Sequence, residues 1–246
     1  MGGTKANECY ASNKVGTFPG ESPINFSPPD LEATSDATIT LSTNFGAFRK
    51  GLSISNNGHS VVVTICGANS EDCGATANFG AWPKTLRDVE DSDGSNDDYY
   101  LSELQFHWGS DGTKGSEHTV CGDPRAAEMH LVFVNKNSAR AAEGRSSAAS
   151  GLKYAVLAVL VEGGAAEDNE ALAPIFSSVH ELEHHRHLTG EASGSVSGAV
   201  DPIALLPPDY ASKFYTYAGS LTTPPCSQQV TVRTNLRMNH ESSSSG

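Results

Sequence analysis

Two histidines on neighbouring candidate strands could share a metal ion. His107 lies in an alternating segment two residues after Gln105, and His130 lies in a second segment about two dozen residues later. Because side chains two residues apart in a strand point to the same face, Gln105 and His107 project together, and His130 meets them if the two strands are neighbours. Two imidazoles, one amide and a water would resemble a catalytic zinc site, although zinc strongly prefers imidazole nitrogen to amide oxygen.

The sequence around these histidines carries five short segments in succession. For any single strand histidine a structural role is the commoner outcome, so the neighbouring sequence decides the interpretation. The segments are Asn56 to His59, Gln105 to Gly109, Gly115 to Val120, Ala126 to Val132 and Tyr217 to Pro225. Their residues, order and spacing resemble the signature blocks of alpha-class carbonic anhydrases from about Ser22 to Val232, which is most of the chain.

That resemblance implies a zinc site and assigns its residues. His107 and His130 would be two zinc ligands, and Gln105 stands where the family has its first ligand histidine. Glu128 would hold a ligand histidine in the right tautomer, and His118 would lie with it behind the ligands. Because an amide oxygen is a weak zinc ligand, zinc occupancy is expected to be weak or partial.

The resemblance also implies roles in turnover. His59 matches the residue that carries a proton to bulk solvent, and Thr222 matches the hydroxyl that orients a zinc-bound hydroxide. Glu117 would accept the hydrogen bond that Thr222 donates, and Thr223 would make a further contact beside them. The implied reaction is the reversible hydration of carbon dioxide to bicarbonate by that hydroxide.

An apolar wall for carbon dioxide is implied as well. The matching residues are Val132, Val156, Leu221 and Val230. Val232 stands where the family has a large aromatic residue, so it joins the predicted pocket and is expected to enlarge it.

Short alternating or β-branched runs dominate the chain and predict strands. The predicted strands are Thr38 to Ser42, Leu52 to Ser55, Ser60 to Ile65, Leu101 to Trp108, Glu128 to Asn135, Tyr154 to Val161 and Gln229 to Thr234. One helix is predicted over Glu170 to Leu188, where apolar residues recur at spacings of three and four, at Leu172, Ile175, Phe176, Val179 and Leu182. The predicted fold is therefore mostly β: one domain over residues 1–246 on a large, mainly antiparallel twisted sheet with a few short helices. Residues 1–8 and 239–246 are expected to be flexible or vector-derived.

Composition limits the possible partners. The chain has 246 residues, with 37% hydrophobic and 18% charged side chains, which indicates a globular protein. A formal net charge of −13 with only 16 Lys and Arg argues against a nucleic-acid partner. No apolar run approaches the ~20 residues of a membrane span, because the longest, Tyr154 to Val161, has the length of a strand. Carbon dioxide and bicarbonate are the expected ligands, and the residues identify no protein partner.

Five cysteines leave one unpaired in an oxidising compartment. Turn-forming residues separate Cys66 from Cys73, so these two could close a stapled hairpin, and Cys9 with Cys226 could tie the two ends of the chain together. Cys121 would then be free. This pattern predicts a secreted, extracellular or lumenal protein, while five reduced thiols in a cytosolic protein are the alternative.

Two further groups of residues could bind metal. His180, His184 and His187 fall on one face of the predicted helix, although histidines near a solvated helix end are a commoner reason for such spacing. The acidic run Asp88 to Asp98 could bind calcium, but it lacks the EF-hand pattern and has the composition of a solvated loop.

Two functions from different classes fit the residues. The first is a zinc lyase that hydrates carbon dioxide, with activity weakened or lost at Gln105. The second is a catalytically inactive relative kept as a binding or structural module. His59, Glu117 and Thr222 favour the enzyme, since a pure binding module needs neither a proton carrier nor an oriented hydroxide, whereas Gln105 favours the module.

Overall fold

The structure is a computed structural model of the chain. It describes residues 21–26, 39–41, 52–57, 59–65, 76–78, 99–110, 112–136, 154–164, 169–189, 192–223, 226–227 and 230–238. The two termini that the sequence predicts to be flexible or vector-derived, residues 1–8 and 239–246, lie outside these ranges, as does the acidic run of residues 88–98.

The described residues form mostly strands. In chain order these are β1 (Asn25–Phe26), β2 (Thr40–Leu41), β3 (Ser53–Asn56), β4 (Val61–Thr64), β5 (Thr76–Asn78), β6 (Tyr99–Trp108), β7 (Thr119–Val120), β8 (Ala127–Asn135), β9 (Tyr154–Val161), β10 (Ala192–Ser195), β11 (Tyr215–Gly219) and β12 (Val230–Met238). A 3-10 turn at Glu170–Leu172 leads into one helix, α1 (Ala173–Thr189). All seven predicted strands are present, with ends that differ by a few residues, and five short strands were not predicted.

One large sheet carries almost all of these strands. Its order is β10-β3-β4-β6-β8-β9-β12-β11, with β2 and β5 joined to it beside β6. Neighbours run antiparallel except β12 and β9, which are parallel, and β1 pairs with β7 in a separate two-stranded ribbon. The prediction of a mostly β, mainly antiparallel fold is confirmed.

Alternation along the central strands divides the core between the two faces of the sheet. On β8, Leu131 and Phe133 belong to the larger cluster, which also takes in buried residues of α1. Val132, between them, belongs to a smaller cluster on the opposite face. That second cluster contains Phe26, Val132, Val156, Ala158, Tyr217, Val230 and Val232. The polar residues of β6 and β8 described below lie on this second face, since they share the alternation of Val132.

A bulge in β6 sets which of its residues reach the second face. Leu101 pairs with Phe133 but Glu103 pairs with Val132, so one extra residue, Ser102, is inserted between them. Leu101 and Glu103 therefore face opposite sides of the sheet although they are two residues apart. Regular alternation after the bulge then places Glu103, Gln105 and His107 together on the face opposite to that of Leu101.

The turn after β6 is packed too closely for a side chain at one position. A Cβ on Gly115 would clash with the carbonyl oxygen of Ala126. The amides of Gly115 and Ser116 both donate to the carbonyl of Arg125, at 2.7 and 3.0 Å. This packing holds the segment that carries Glu117 and His118 against the start of β8.

Helix α1 packs one face on the sheet. Leu172, Ile175 and Leu182 are buried, as the apolar spacing predicts. Phe176, which belongs to the same apolar spacing, is 55% exposed. His180 is exposed, and the side chains of the other two helix histidines lie outside the described residues. Within the described ranges, no helix combines the length and the apolar content that crossing a membrane requires.

The cysteines differ from the prediction. Cys121, predicted to be free, is disulfide-bonded. Cys226, predicted to pair with Cys9, is free and exposed. Cys9, Cys66 and Cys73 lie outside the described residues, so the predicted bridge between Cys66 and Cys73 is not tested. The bonding of Cys121 and Cys226 was mispredicted because spacing along the sequence does not give the distances that tertiary structure sets between cysteines.

Alkylation of the native, oxidised protein tests this assignment. We expect an iodoacetamide label on Cys226, because its thiol is free and exposed, and no label on Cys121. Peptide mapping by mass spectrometry locates the label, and a reduced sample provides the control in which Cys121 also reacts. Labelling of Cys121 without reduction would contradict the structure.

Candidate functional site

The central strands bring the two predicted ligand histidines together. On β6 and β8, Gln105 lies directly opposite His130, and His107 lies opposite Glu128. The imidazole centroids of His107 and His130 are 4.8 Å apart. Gln105, His107, Glu128 and His130 are all buried. The predicted convergence of two imidazoles and one amide is therefore present in the structure.

A buried carboxylate orients the imidazole of His130. Glu128 is fully buried, and its Oε1 lies 2.7 Å from His130 Nε2 and 2.5 Å from His118 Nδ1. Its Oε2 accepts from the backbone amide of His118 at 2.8 Å. Because a carboxylate only accepts, both rings donate to it through those nitrogens. The lone pair of neutral His130 is thereby left on Nδ1.

The same network continues to the start of the chain. His118 Nε2 lies 2.7 Å from the hydroxyl of Tyr217, which lies 2.8 Å from Ser22 Oγ. Ser22 Oγ accepts from the amide of Ser220 at 3.1 Å, and the amide of Ser22 donates to Ser220 Oγ at 3.0 Å. If neutral His118 donates through Nδ1, then Tyr217 donates to its Nε2 and Ser22 donates to Tyr217. Every group in the chain of hydrogen bonds then has one consistent role.

Charges in this network stabilise one another. Burial alone would raise the pKa of the Glu128 carboxyl, but the adjacent imidazoles of His118 and His130 hold that pKa well below its usual range. Burial lowers the pKa of His130, and the charge of Glu128 outweighs that effect, so the pKa of His130 is raised. Burial also raises the pKa of the Tyr217 phenol, which keeps its proton available for His118. Glu128 thus stays ionised inside the protein.

His107 is the imidazole best suited to bind a metal ion. Burial, followed by the positive charge of a protonated His130, lowers its pKa to about 3, so it is neutral near physiological pH. Its Nδ1 lies 3.4 Å from Glu117 Oε1. Its Nε2 is buried with no hydrogen-bond partner among the described residues. A buried, unpartnered imidazole nitrogen is costly unless a ligand binds it.

Gln105 is held by a neighbour on its own strand. Its Nε2 donates to Glu103 Oε1 at 2.6 Å. Glu103 was not predicted as a site residue. Extending the two-residue alternation of β6 from His107 and Gln105 to residue 103 would have identified Glu103.

The hydrogen bond predicted between Thr222 and Glu117 is not formed. Thr222 Oγ1 and Glu117 Oε2 are both buried, and neither has a hydrogen-bond partner in the part of the chain that the structure describes. Glu117 Oε2 instead lies 3.8 Å from His130 Nε2. The residues predicted to orient the nucleophile are thus near the histidines but not bonded to each other.

A small cavity adjoins the histidines. Its volume is about 10 Å³, close to the minimum space for one water. It is lined by Ser22, Gln105, His118, His130, Val132, Val156, Ser220, Leu221, Thr222 and Val232. Four of the five predicted wall residues therefore border it, while Val230 is buried in the same apolar cluster behind them. Among the described residues, the cavity that Val232 lines is small and not enlarged as expected.

Two other predicted residues lie outside this cavity's lining. His59 is exposed in the turn between β3 and β4, where its amide donates to Asn57 Oδ1 at 2.9 Å. Thr223 is buried, and its carbonyl accepts from the amide of Cys226 at 2.9 Å. Ser22 and Tyr217 complete the network behind His118 although neither was assigned a role, because nothing near Ser22 in sequence points to residue 220.

The residues present fit a zinc ion. Ligand atoms of His107, Glu117 and His130 lie within 4.8 Å of one another. The Nε2 of His107 is unpartnered, and the Nδ1 of His130 is not used by Glu128. A carboxylate behind a ligand histidine fixes its tautomer and raises its basicity, as zinc sites require. The second group of potential ligands, His118, Glu128 and His130, is already occupied by its own hydrogen bonds.

Comparison with known proteins identifies the family of the chain. A family model described as eukaryotic-type carbonic anhydrase matches residues 19–238. Human carbonic anhydrase 12 is 41% identical over 133 residues, which are 54% of this chain and 34% of that protein. Rabbit carbonic anhydrase 1 is 37% identical over 136 residues, covering 55% of this chain and 53% of the relative. Mouse carbonic anhydrase 1 is 36% identical over 135 residues, covering 55% and 47%. The matched region thus spans about a third to a half of these relatives.

The buried carboxylate generates a stability prediction. We expect Glu128→Gln to lower the free energy of unfolding by about 3 kcal/mol near neutral pH. The carboxylate accepts from three donors through its two oxygens, whereas an amide has only one accepting oxygen. The folded-state pKa of Glu128 lies below its ordinary value of 4.5, so its contribution is complete above that pH and is lost as the pH falls further. Urea unfolding should therefore show a difference between the two proteins that shrinks in acid.

Glu162→Gln is the matched control. Glu162 is half exposed and lies 3.7 Å from Arg125, so its loss should change stability by less than about 0.5 kcal/mol. Equal unfolding free energies for wild type and Glu128→Gln near neutral pH would show that the network does not stabilise the fold.

Proposed function

The chain belongs to the eukaryotic-type carbonic anhydrase family, and from that premise we propose that its site binds zinc weakly and hydrates carbon dioxide to bicarbonate at a reduced rate. The observation that carries the proposal is the proximity of the buried imidazoles of His107 and His130, together with the buried Nε2 of His107, which has no hydrogen-bond partner among the described residues. Gln105 occupies the third position with an amide in place of an imidazole. The reduced rate follows from that exchange, since an amide oxygen binds zinc more weakly.

Several residues of the chain would have separate roles in the proposed hydration of carbon dioxide. Zinc, when bound, supplies a Lewis acid that lowers the pKa of water from 15.7 to about 7. Val132, Val156 and Leu221 offer carbon dioxide an apolar surface in the cavity that Thr222 also borders. Thr222 Oγ1, buried and unpartnered, is available to orient the attacking oxygen. His59, whose imidazole is exposed, would pass a proton to solvent.

A catalytically inactive binding or structural module is the second candidate. Two observations favour it: the amide of Gln105 already donates to Glu103, and Thr222 does not reach Glu117. Under this function the buried network from His130 to Ser220 would serve the fold alone. The measurements below separate the two candidates, because only the enzyme gains activity when the metal site is repaired.

We also propose an oxidising compartment for the protein. Disulfides persist in secreted and lumenal proteins and are rare in the cytosol. The disulfide at Cys121 supports this location, which the cysteine content of the sequence also predicts.

Zinc content is the first test. Protein purified without added zinc should contain clearly less than one equivalent, and brief dialysis against a mild chelator should remove it, because one imidazole is missing. Inductively coupled plasma mass spectrometry measures the content. Stoichiometric zinc that survives the chelator would show that the site holds the metal as firmly as three imidazoles would.

Repair of the metal site is the second test. Gln105→His should raise the rate of carbon dioxide hydration at least tenfold, or about 1.4 kcal/mol of barrier, because it adds a third imidazole whose N–H Glu103 can accept. Stopped-flow hydration assays with added zinc measure both proteins, with Thr222→Ala in the repaired background as control. If the repaired protein binds zinc tightly yet stays at the uncatalysed rate, the module is the better proposal.

A further inference from the structure

We propose that Glu103 is a positioning residue that turns the carbonyl oxygen of Gln105 toward His107 and His130, so that this oxygen becomes the third protein ligand of the metal. The inference rests on the proposed metal function of the site. It gives Glu103 a role and names the atom by which Gln105 would bind.

The orientation of the amide follows from the chemistry of its neighbour. The Nε2 of Gln105 and Oε1 of Glu103 are 2.6 Å apart, on side chains two residues apart on the same strand face. The two ends of an amide have nearly the same shape, so shape alone does not choose between them. A carboxylate accepts but does not donate, and it therefore selects the NH2 end of Gln105. The carbonyl oxygen is the end that remains.

The surroundings of Gln105 indicate which way its carbonyl oxygen points. The side chain of Gln105 is 4% exposed, pairs across the strands with His130, and borders the same cavity as His130 and Thr222. The oxygen and nitrogen diverge from one carbon, so the oxygen points away from Glu103 when the nitrogen faces it. His107 follows Gln105 on the same face, on the side away from Glu103.

Glu103 also makes the oxygen a better ligand. A hydrogen bond from the amide N–H to an anion moves electron density toward the carbonyl oxygen. Carboxylates that hydrogen-bond to ligand histidines raise their basicity in the same way. Two imidazoles and one oxygen suit zinc less well than three imidazoles, which agrees with the weak occupancy proposed above.

Glu117 is the competing third ligand, and the geometry disfavours it. Its carboxylate approaches Nδ1 of His107 and Nε2 of His130, at 3.4 and 3.8 Å. Nε2 of His130 already donates to Glu128, and the unpartnered nitrogen of His107 is Nε2 rather than Nδ1. The close approaches of Glu117 are therefore to Nδ1 of His107 and Nε2 of His130, and not to the two nitrogens that the proposed metal would use.

A double-mutant cycle on the full chain tests the inference. The dissociation constant for Zn²⁺ is measured by competition with a chromogenic chelator in wild type, Glu103→Leu, Gln105→Ala and the double variant. We expect each single change to weaken binding about tenfold or more, and the double change to add less than about twofold to Gln105→Ala, because Glu103 acts through Gln105. Absorption spectra with Co²⁺ should show the same altered coordination in all three variants.

Conservative and control variants separate positioning from general damage. Glu103→Gln keeps an oxygen that can accept from the amide of Gln105 but adds a donor and removes the negative charge, so zinc affinity should fall less than in Glu103→Leu or Gln105→Ala. Glu162→Gln removes an exposed carboxylate elsewhere and should leave affinity unchanged. Thermal unfolding of each variant shows whether it is folded at the assay temperature. If Glu103→Leu unfolds, the folded Glu103→Gln protein provides the test. A loss of zinc affinity in Glu103→Gln as large as that in Gln105→Ala would overturn the inference.

The remaining outcomes distinguish this inference from the proposed function. If His107→Ala leaves zinc affinity unchanged, the metal site itself is wrong and both proposals fail. If His107→Ala weakens binding tenfold but Gln105→Ala and Glu103→Leu change it less than twofold, only the role of Glu103 is overturned. If Glu117→Gln weakens binding as much as His107→Ala while Gln105→Ala does not, Glu117 is the third ligand and the inference is wrong.

Discussion

The ionised carboxylate of Glu128 is the constraint around which the rest of the site is built. A fully buried anion costs several kcal/mol unless hydrogen-bond donors surround it. Here three donors do so, two from His118 and one from His130. Each donor comes from a segment whose position is then restricted: the turn before β7 and the middle of β8. Nδ1 of His130 is thus left free because Nε2 of the same ring donates to the buried carboxylate of Glu128.

The amide of Gln105 is compatible with this arrangement because its NH2 group has an acceptor in Glu103. An amide placed opposite His130 without Glu103 would need some other acceptor for its NH2 group. A neutral amide also has the same formal charge as a neutral imidazole. The fold therefore accommodates an amide at this buried position.

Much of this site could be predicted from the sequence, and what was missed has physical causes. Strand periodicity was enough to place Gln105 with His107, and Val132 with Glu128 and His130, on one face, because those stretches are regular. It fails across the bulge at Ser102, since an inserted residue reverses the alternation without any local signal in side-chain type. Ser22 and the bonding of Cys121 were missed because they depend on contacts with distant residues. The exposure of Phe176 could not be read from its spacing, because helical spacing shows which residues share a face and not whether the sheet extends beneath all of them.

The bond between Ser22 and Ser220 has a consequence for the order in which the molecule assembles. It joins residues 198 positions apart, and the contact between Ser22 and Tyr217 spans 195. Contacts this remote in sequence close late, because the chain must first lose the entropy of a very long loop. During synthesis, His118 emerges about a hundred residues before Tyr217, so the bond between them forms only after that later segment is available. The site is therefore completed only after Ser220 has left the ribosome.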